Sequence, residues 1–258
     1  MILPRILVAL LACLSLVWGN ARALTQAEVV AGAEKTYRTR ITDLSQAGML
    51  DRDPVFLARV ERVVQRLAEQ ARRDDPATPA LSWEVHTCND ADDNASAMAG
   101  GKLLLSQSYA ERLSLTDAEL AMVLAHEMQH VILLHNLKEY EEAMRLEPAW
   151  RDKPFSELED AVDNDTRLMS KLTSLNWDQE VEADRAGLAM AWRAGWRAKD
   201  VAGYFHKLEQ ATSMSHMGSP THPSPLLRWH TARSQAEALD RTPAAPATFT
   251  PNPPKGNR

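Results

Sequence analysis

The stretch Leu120-Ala121-Met122-Val123-Leu124-Ala125-His126-Glu127-Met128-Gln129-His130-Val131-Ile132-Leu133-Leu134 is apolar except at His126, Glu127, Gln129 and His130. Thr116 stands three residues before Glu119, a capping box that starts a helix just ahead of this run. In a helix of about 3.6 residues per turn, positions four apart differ by only about 40° around the axis, so His126 and His130 project from one face and can share a metal ion. The order His-Glu-x-x-His is the pattern of a zinc site. Its two imidazoles ligate, and Glu127, one position on, can take a proton from a water on the ion and deliver it to a leaving amine.

A catalytic zinc needs a third protein ligand and an open fourth position. Glu180-Val181-Glu182-Ala183-Asp184 stands on another predicted helix downstream. Glu180 and Asp184 are four apart and share a face, so one can bind metal while the other orients a ligand imidazole. Glu182 is about 200° from Glu180 around the axis and is expected to point elsewhere. Each pattern alone has a plainer reading, since a histidine pair can be a buried polar network and a glutamate-rich helix is usually a solvated face. Together they favour one zinc ion per chain.

Outward from this pair, the spacing predicts a helix from Thr25 to about Gln46, with a capping box at Thr25 and Glu28. A second helix starts at Asp53-Pro54, carries Val55, Val60, Val63, Val64 and Leu67 on one stripe, and ends near Asp74-Asp75. The period then shortens. Leu81 to Thr87 reads as a strand, and Ala95 to Met98 with Lys102 to Leu105 reads as a hairpin around Gly100-Gly101. Further helices are predicted over 154–175, 178–194, 199–212 and 225–239, with 213–224 as a loop. The expected fold is mainly α with one small β-sheet, an α+β domain over 24–240. Asn94 to Lys102 is expected to form an edge strand beside the metal, where an extended peptide could add by backbone pairing.

Residues 1–23 have the order of a secretory signal peptide: Arg5, a 13-residue apolar run from Ile6 to Trp18, and an Ala-Arg-Ala site ending at Ala23. An uncleaved anchor is the plainer reading, but the run is short of the roughly 20 residues that span a bilayer. A lipidation box at Cys13 fits poorly, because the apolar run continues past it. Cleavage would leave Cys88 as the one cysteine, so no internal disulfide is expected. His86 and Cys88 alternate on one strand face, too few ligands for a second metal. The segment 241–258, with five prolines, is expected to be disordered. With 29 basic against 35 acidic residues, the chain carries a formal charge of −6, and a nucleic-acid partner is not expected. Trp177, Trp192 and Trp196 are expected to pack the core, and His135, about 140° from His130 on a continuous helix, to make a structural hydrogen bond.

HEMQHVILLH, then QEVEADRAGL about 50 residues later, then THPSPLLR resemble metallopeptidase family forty-eight, and NASAMAGGKLLLS is similar to the strand segment before its active-site helix. The resemblance runs from about Trp83 to Arg228. It implies a zincin fold of the gluzincin type, with zinc ligands His126, His130 and Glu180, a general base at Glu127 and Asp184 as the acid behind the ligands. His222-Pro223 followed by Arg228 matches a further motif of the family. From it come two expectations: Arg228 stabilises an oxyanion, and His222 takes the open zinc position in a latent state. The plainer reading has both capping a helix and pairing with surface acids. Gln129 departs from the family, whose members mostly have a small residue there. The function implied is a zinc metalloendopeptidase of unfolded or misfolded envelope proteins, exported to the periplasm and peripheral to the outer membrane and its assembly machinery. The alternative is a latent or non-proteolytic zinc protein acting as a chaperone-like assembly factor.

Overall fold

Thr25 and Asp53 open the first two helices as their side chains suggest. Thr25 and Glu28 exchange capping bonds at the start of α1 (Gln26–Gln46), and Asp53 accepts from the amides of Val55 and Phe56 at the start of α2 (Pro54–Asp74). A computed structural model describes residues 24–75 and 81–242; the segment 1–23 expected to be a signal peptide and nearly all of the tail expected to be disordered lie outside the described residues. Three strands follow: β1 (Glu84–Cys88), β2 (Ala95–Met98) and β3 (Lys102–Ser106). β1 and β3 pair in parallel with Glu84 opposite Lys102, whereas β2 and β3 pair antiparallel with Ala95 opposite Leu105. Gly100 and Gly101 turn the hairpin at φ 89° and 87°, a region that a side chain disfavours. The order β1-β3-β2 leaves β2 at the edge.

The remaining helices are α3 (Gln107–Arg112), α4 (Asp117–Ile132), α5 (His135–Leu146), α6 (Phe155–Asn164), α7 (Thr166–Arg193), α8 (Ala198–Ala211) and α9 (Pro225–Leu239). α4 is buried nearly all round because α2, α7, α8 and β2 pack on it. Among the described residues, two large apolar clusters divide the interior, beside a small third around Leu44, Cys88 and Leu104. One gathers α2, β3, α4, the second half of α7 (Leu188, Met190, Ala191) and α8; the other gathers α1, α5, α6 and the first half of α7 (Leu168, Leu172). α7 therefore spans both clusters, and its middle is where the carboxylates fall.

Three expectations are corrected. The helices predicted over 154–175 and 178–194 break instead at Asp165, which accepts from the amides of Arg167 and Leu168 and starts one 28-residue helix. No Gly or Pro stands between Leu175 and Asp178, so nothing local ends α7 there. Val55 does not join the core stripe; at helix position N2 it is 78% exposed. The helix through His130 ends at Ile132, two residues earlier than the apolar run.

Candidate metal centre

The capping box at Thr116 starts α4, with the Thr116 amide donating to Glu119 Oε2 at 2.7 Å, and Lys207 bonds the same carboxylate. Ten residues on, His126 and His130 face α7. Their Nε2 atoms lie 3.0 Å apart. Glu180 closes the group, with Oε1 3.2 Å from His130 Nε2 and Oε2 3.5 Å from His126 Nε2. Among the described residues these three are the cluster able to hold a metal ion, their ligand atoms all within 4.8 Å of one another.

α7 approaches this closely because of Gly187. A Cβ there would stand 2.9 Å from the His126 backbone nitrogen and 3.1 Å from the Ala125 carbonyl carbon. Sequence reading passed over this glycine, although it stands in the same motif, four residues past Ala183 and seven past Glu180.

Asp184, one turn beyond Glu180, puts Oδ1 2.8 Å from His126 Nδ1 as an ion-pair contact. Arg228 on α9 grips the same carboxylate with two nitrogens, Nε to Oδ2 at 2.7 Å and Nη2 to Oδ1 at 2.6 Å. Its Nη1 stands 3.4 Å from Glu180 Oε2. Arg228 is thus a buried partner of a buried acid, not a surface pair. Burial opposes charge on His126, but Glu180 and Asp184 outweigh it and hold the ring at about 10. Burial would raise Glu180 as well; His126, His130 and Arg228 keep it well below the usual carboxylate range. Glu127 is the opposite case. Burial raises its carboxyl, and the neighbouring histidines offset this only in part.

His222 stands beside the group, its Nε2 3.5 Å from Glu180 Oε2 and its Nδ1 2.8 Å from Thr221 Oγ1. Trp177, expected in the core, is 38% exposed and donates from Nε1 to the Ser219 carbonyl at 2.8 Å, holding the His222 loop. Trp192 and Trp196 do pack on the core. Gln129 is buried against Met190 Sδ and lines a cavity of about 160 Å³ beside α4. His86 pairs with Asp51 at 2.5 Å, while Cys88 is buried with Sγ 3.6 Å from Asp93; they form no joint site.

Glu180 Oε2 is buried without a hydrogen-bond partner, facing imidazole nitrogens that converge on the same point. Two imidazoles and one carboxylate with such an orphaned oxygen fit the donor chemistry of zinc. An α+β fold of zincin type carrying this group defines a metallopeptidase. The sequence pattern of Peptidase family M48 matches residues 57–236, and the chain belongs to that family. It is similar to the beta-barrel assembly-enhancing protease of Yersinia pestis, 27% identical over 209 residues, which are 75% of this chain and 41% of the relative. The protein of the same name from Escherichia coli K12 is 27% identical over 213 residues, covering 77% of this chain and 42% of the relative. The chain thus matches about two fifths of the length of these curated relatives.

Proposed function

We propose that the protein is a zinc-dependent endopeptidase that hydrolyses peptide bonds of unfolded or misfolded cell-envelope proteins, working in periplasmic quality control beside outer-membrane assembly. The observation that carries the reading is the convergence of His126, His130 and Glu180 with Glu127 on the same helix turn. The names of the relatives support the assembly context, and no described helix is long and apolar enough to cross a membrane.

Zinc held by His126, His130 and Glu180 would lower the pKa of water and polarise the scissile carbonyl. Glu127, with its carboxyl raised by burial, is suited to accept a proton and release it to the leaving amine. Asp184 holds His126 from behind. Arg228 keeps both carboxylates ionised, and its Nη1, the nitrogen not spent on Asp184, is the one that can face a developing oxyanion. β2 offers an unpaired edge along which an extended segment can add, a preference for unfolded chains.

His222 beside Glu180 favours a second reading, in which the chain is held latent or binds extended chains as an assembly factor until the loop moves. Casein degradation by the zinc-loaded protein tests the first. Wild type should cleave it, and Glu127→Gln should lose about 10²- to 10⁴-fold in rate while keeping its fold. Equal cleavage by both would remove Glu127 from the mechanism, and none by either would favour the latent reading.

A further inference from the structure

Behind His130 the chain does something the helix pattern does not foretell. Leu134 adopts φ 57° and ψ 38°, a left-handed conformation that is strained for a non-glycine residue. The turn restarts the chain in α5 with His135 beneath His130. Gln179 Nε2 donates to the His135 carbonyl at 3.2 Å and ties the turn to α7. His135 is 1% exposed. Its Nδ1 lies 3.0 Å from His130 Nδ1, with the two rings edge to face, and its Nε2 lies 3.3 Å from Glu182 Oε2. Glu182, expected to point away from the site, does leave the metal face, and meets His135 instead.

These contacts assign the hydrogens. The Glu182 carboxylate only accepts, so neutral His135 carries its hydrogen on Nε2. Its Nδ1 then has a lone pair and must accept, and the donor facing it is His130 Nδ1–H. That leaves the lone pair of His130 on Nε2, the atom turned toward His126 and Glu180.

We propose that His135 is a positioning residue: with Glu182 it locks His130 as the Nδ1–H tautomer and fixes the ring so that Nε2 faces the metal. The inference rests on the zinc reading of the site and names a residue that no zinc ligand pattern requires. A core histidine without this role would tolerate any substitution that keeps the packing. The strained turn that places it argues for the specific contact.

The full chain as wild type, His135→Leu, His135→Asn and Glu182→Ala decides it. Asparagine Oδ1 sits near the place of histidine Nδ1, so His135→Asn restores the acceptor without the link to Glu182. Zinc affinity is read by competition with a chelator. The His130 tautomer is read on chelator-stripped protein by long-range proton–nitrogen correlation, and heat denaturation reports the fold. His135→Leu should weaken zinc binding by about 10- to 100-fold and admit the Nε2–H tautomer, and His135→Asn should recover most of that loss. Zinc affinity within about twofold of wild type in a folded His135→Leu, or no recovery in His135→Asn, overturns the proposal. Should His135→Leu not fold, Glu182→Ala decides, with a several-fold weaker affinity and mixed tautomers supporting the relay and no change refuting it. A wild type that binds no zinc sinks the zinc reading, while the tautomer still judges the relay.

Discussion

The two imidazoles of the metal group stand four residues apart on one helix, yet opposite means brace them. Behind His126 is a charged pair, Asp184 gripped by Arg228 at 2.6 and 2.7 Å, with both residues at most 9% exposed. Behind His130 is a neutral ring, His135, whose last partner Glu182 has a side chain 52% exposed. The difference teaches where the risk lies. A buried ionic brace holds firmly while complete and leaves an uncompensated charge when one partner goes. A neutral relay ending at a half-exposed carboxylate leaves no buried charge behind when that end is removed.

Removing Arg228 should therefore have the largest effect on the fold. Arg228→Met is expected to cost about 3–5 kcal/mol in urea denaturation, because Asp184 and Glu180 lose their shared cation. A loss comparable to that of Glu182→Ala would erase the contrast between the two braces.

Both braces depend on α7 lying close to α4. Gly187→Ala should cost about 1–3 kcal/mol by forcing backbone apart at His126, with weaker zinc binding beside it. Unchanged stability would mean that the helices can separate freely.

A partly buried acid on α5 sharpens the picture of the neutral side. Burial and the nearby Asp163, against a hydrogen bond from Asn176, push Glu139 from 4.5 to about 7. The folded state thus binds a proton that the unfolded state releases, and stability falls as pH rises between about 4.5 and 7. Glu139→Gln should remove that slope, with no gain at pH 4 and a gain of about 1–3 kcal/mol at pH 8. A gain that is the same at both pH values would exclude titration as its source.

The smallest expected effect is on gating. His222→Ala should raise casein cleavage by a few-fold if the loop competes for the site; an unchanged or lower rate would count against gating.

Much of this was legible in advance. Helix geometry put His126 and His130 on one face and offered Glu180 or Asp184 as a third partner; the choice of Glu180 came from the family resemblance, and the structure brings Glu180 beside both imidazoles. Thr25, Asp53 and Thr116 marked their helix starts because a capping side chain acts within three residues. The hairpin at Gly100-Gly101 was readable for the same local reason. What failed was the extension of periodicity past its end. An unbroken helix puts His135 about 140° from His130, and the turn at Leu134 brings it underneath. Nothing in the leucine pair announces a left-handed residue, since its cost is met by contacts made elsewhere, among them the bond from Gln179.

The sequence by itself determined the candidates for a metal, His126 and His130 with Glu180 or Asp184, because that depends on residue type and on helix spacing, both written in the chain. Only the tertiary structure decided what stands behind those groups. Arg228 reaches Asp184 across 44 positions, Glu182 reaches His135 across 47, and Gly187 lets α7 meet α4 at backbone distance. Such contacts join segments with no shared period, and packing alone selects which of them meet.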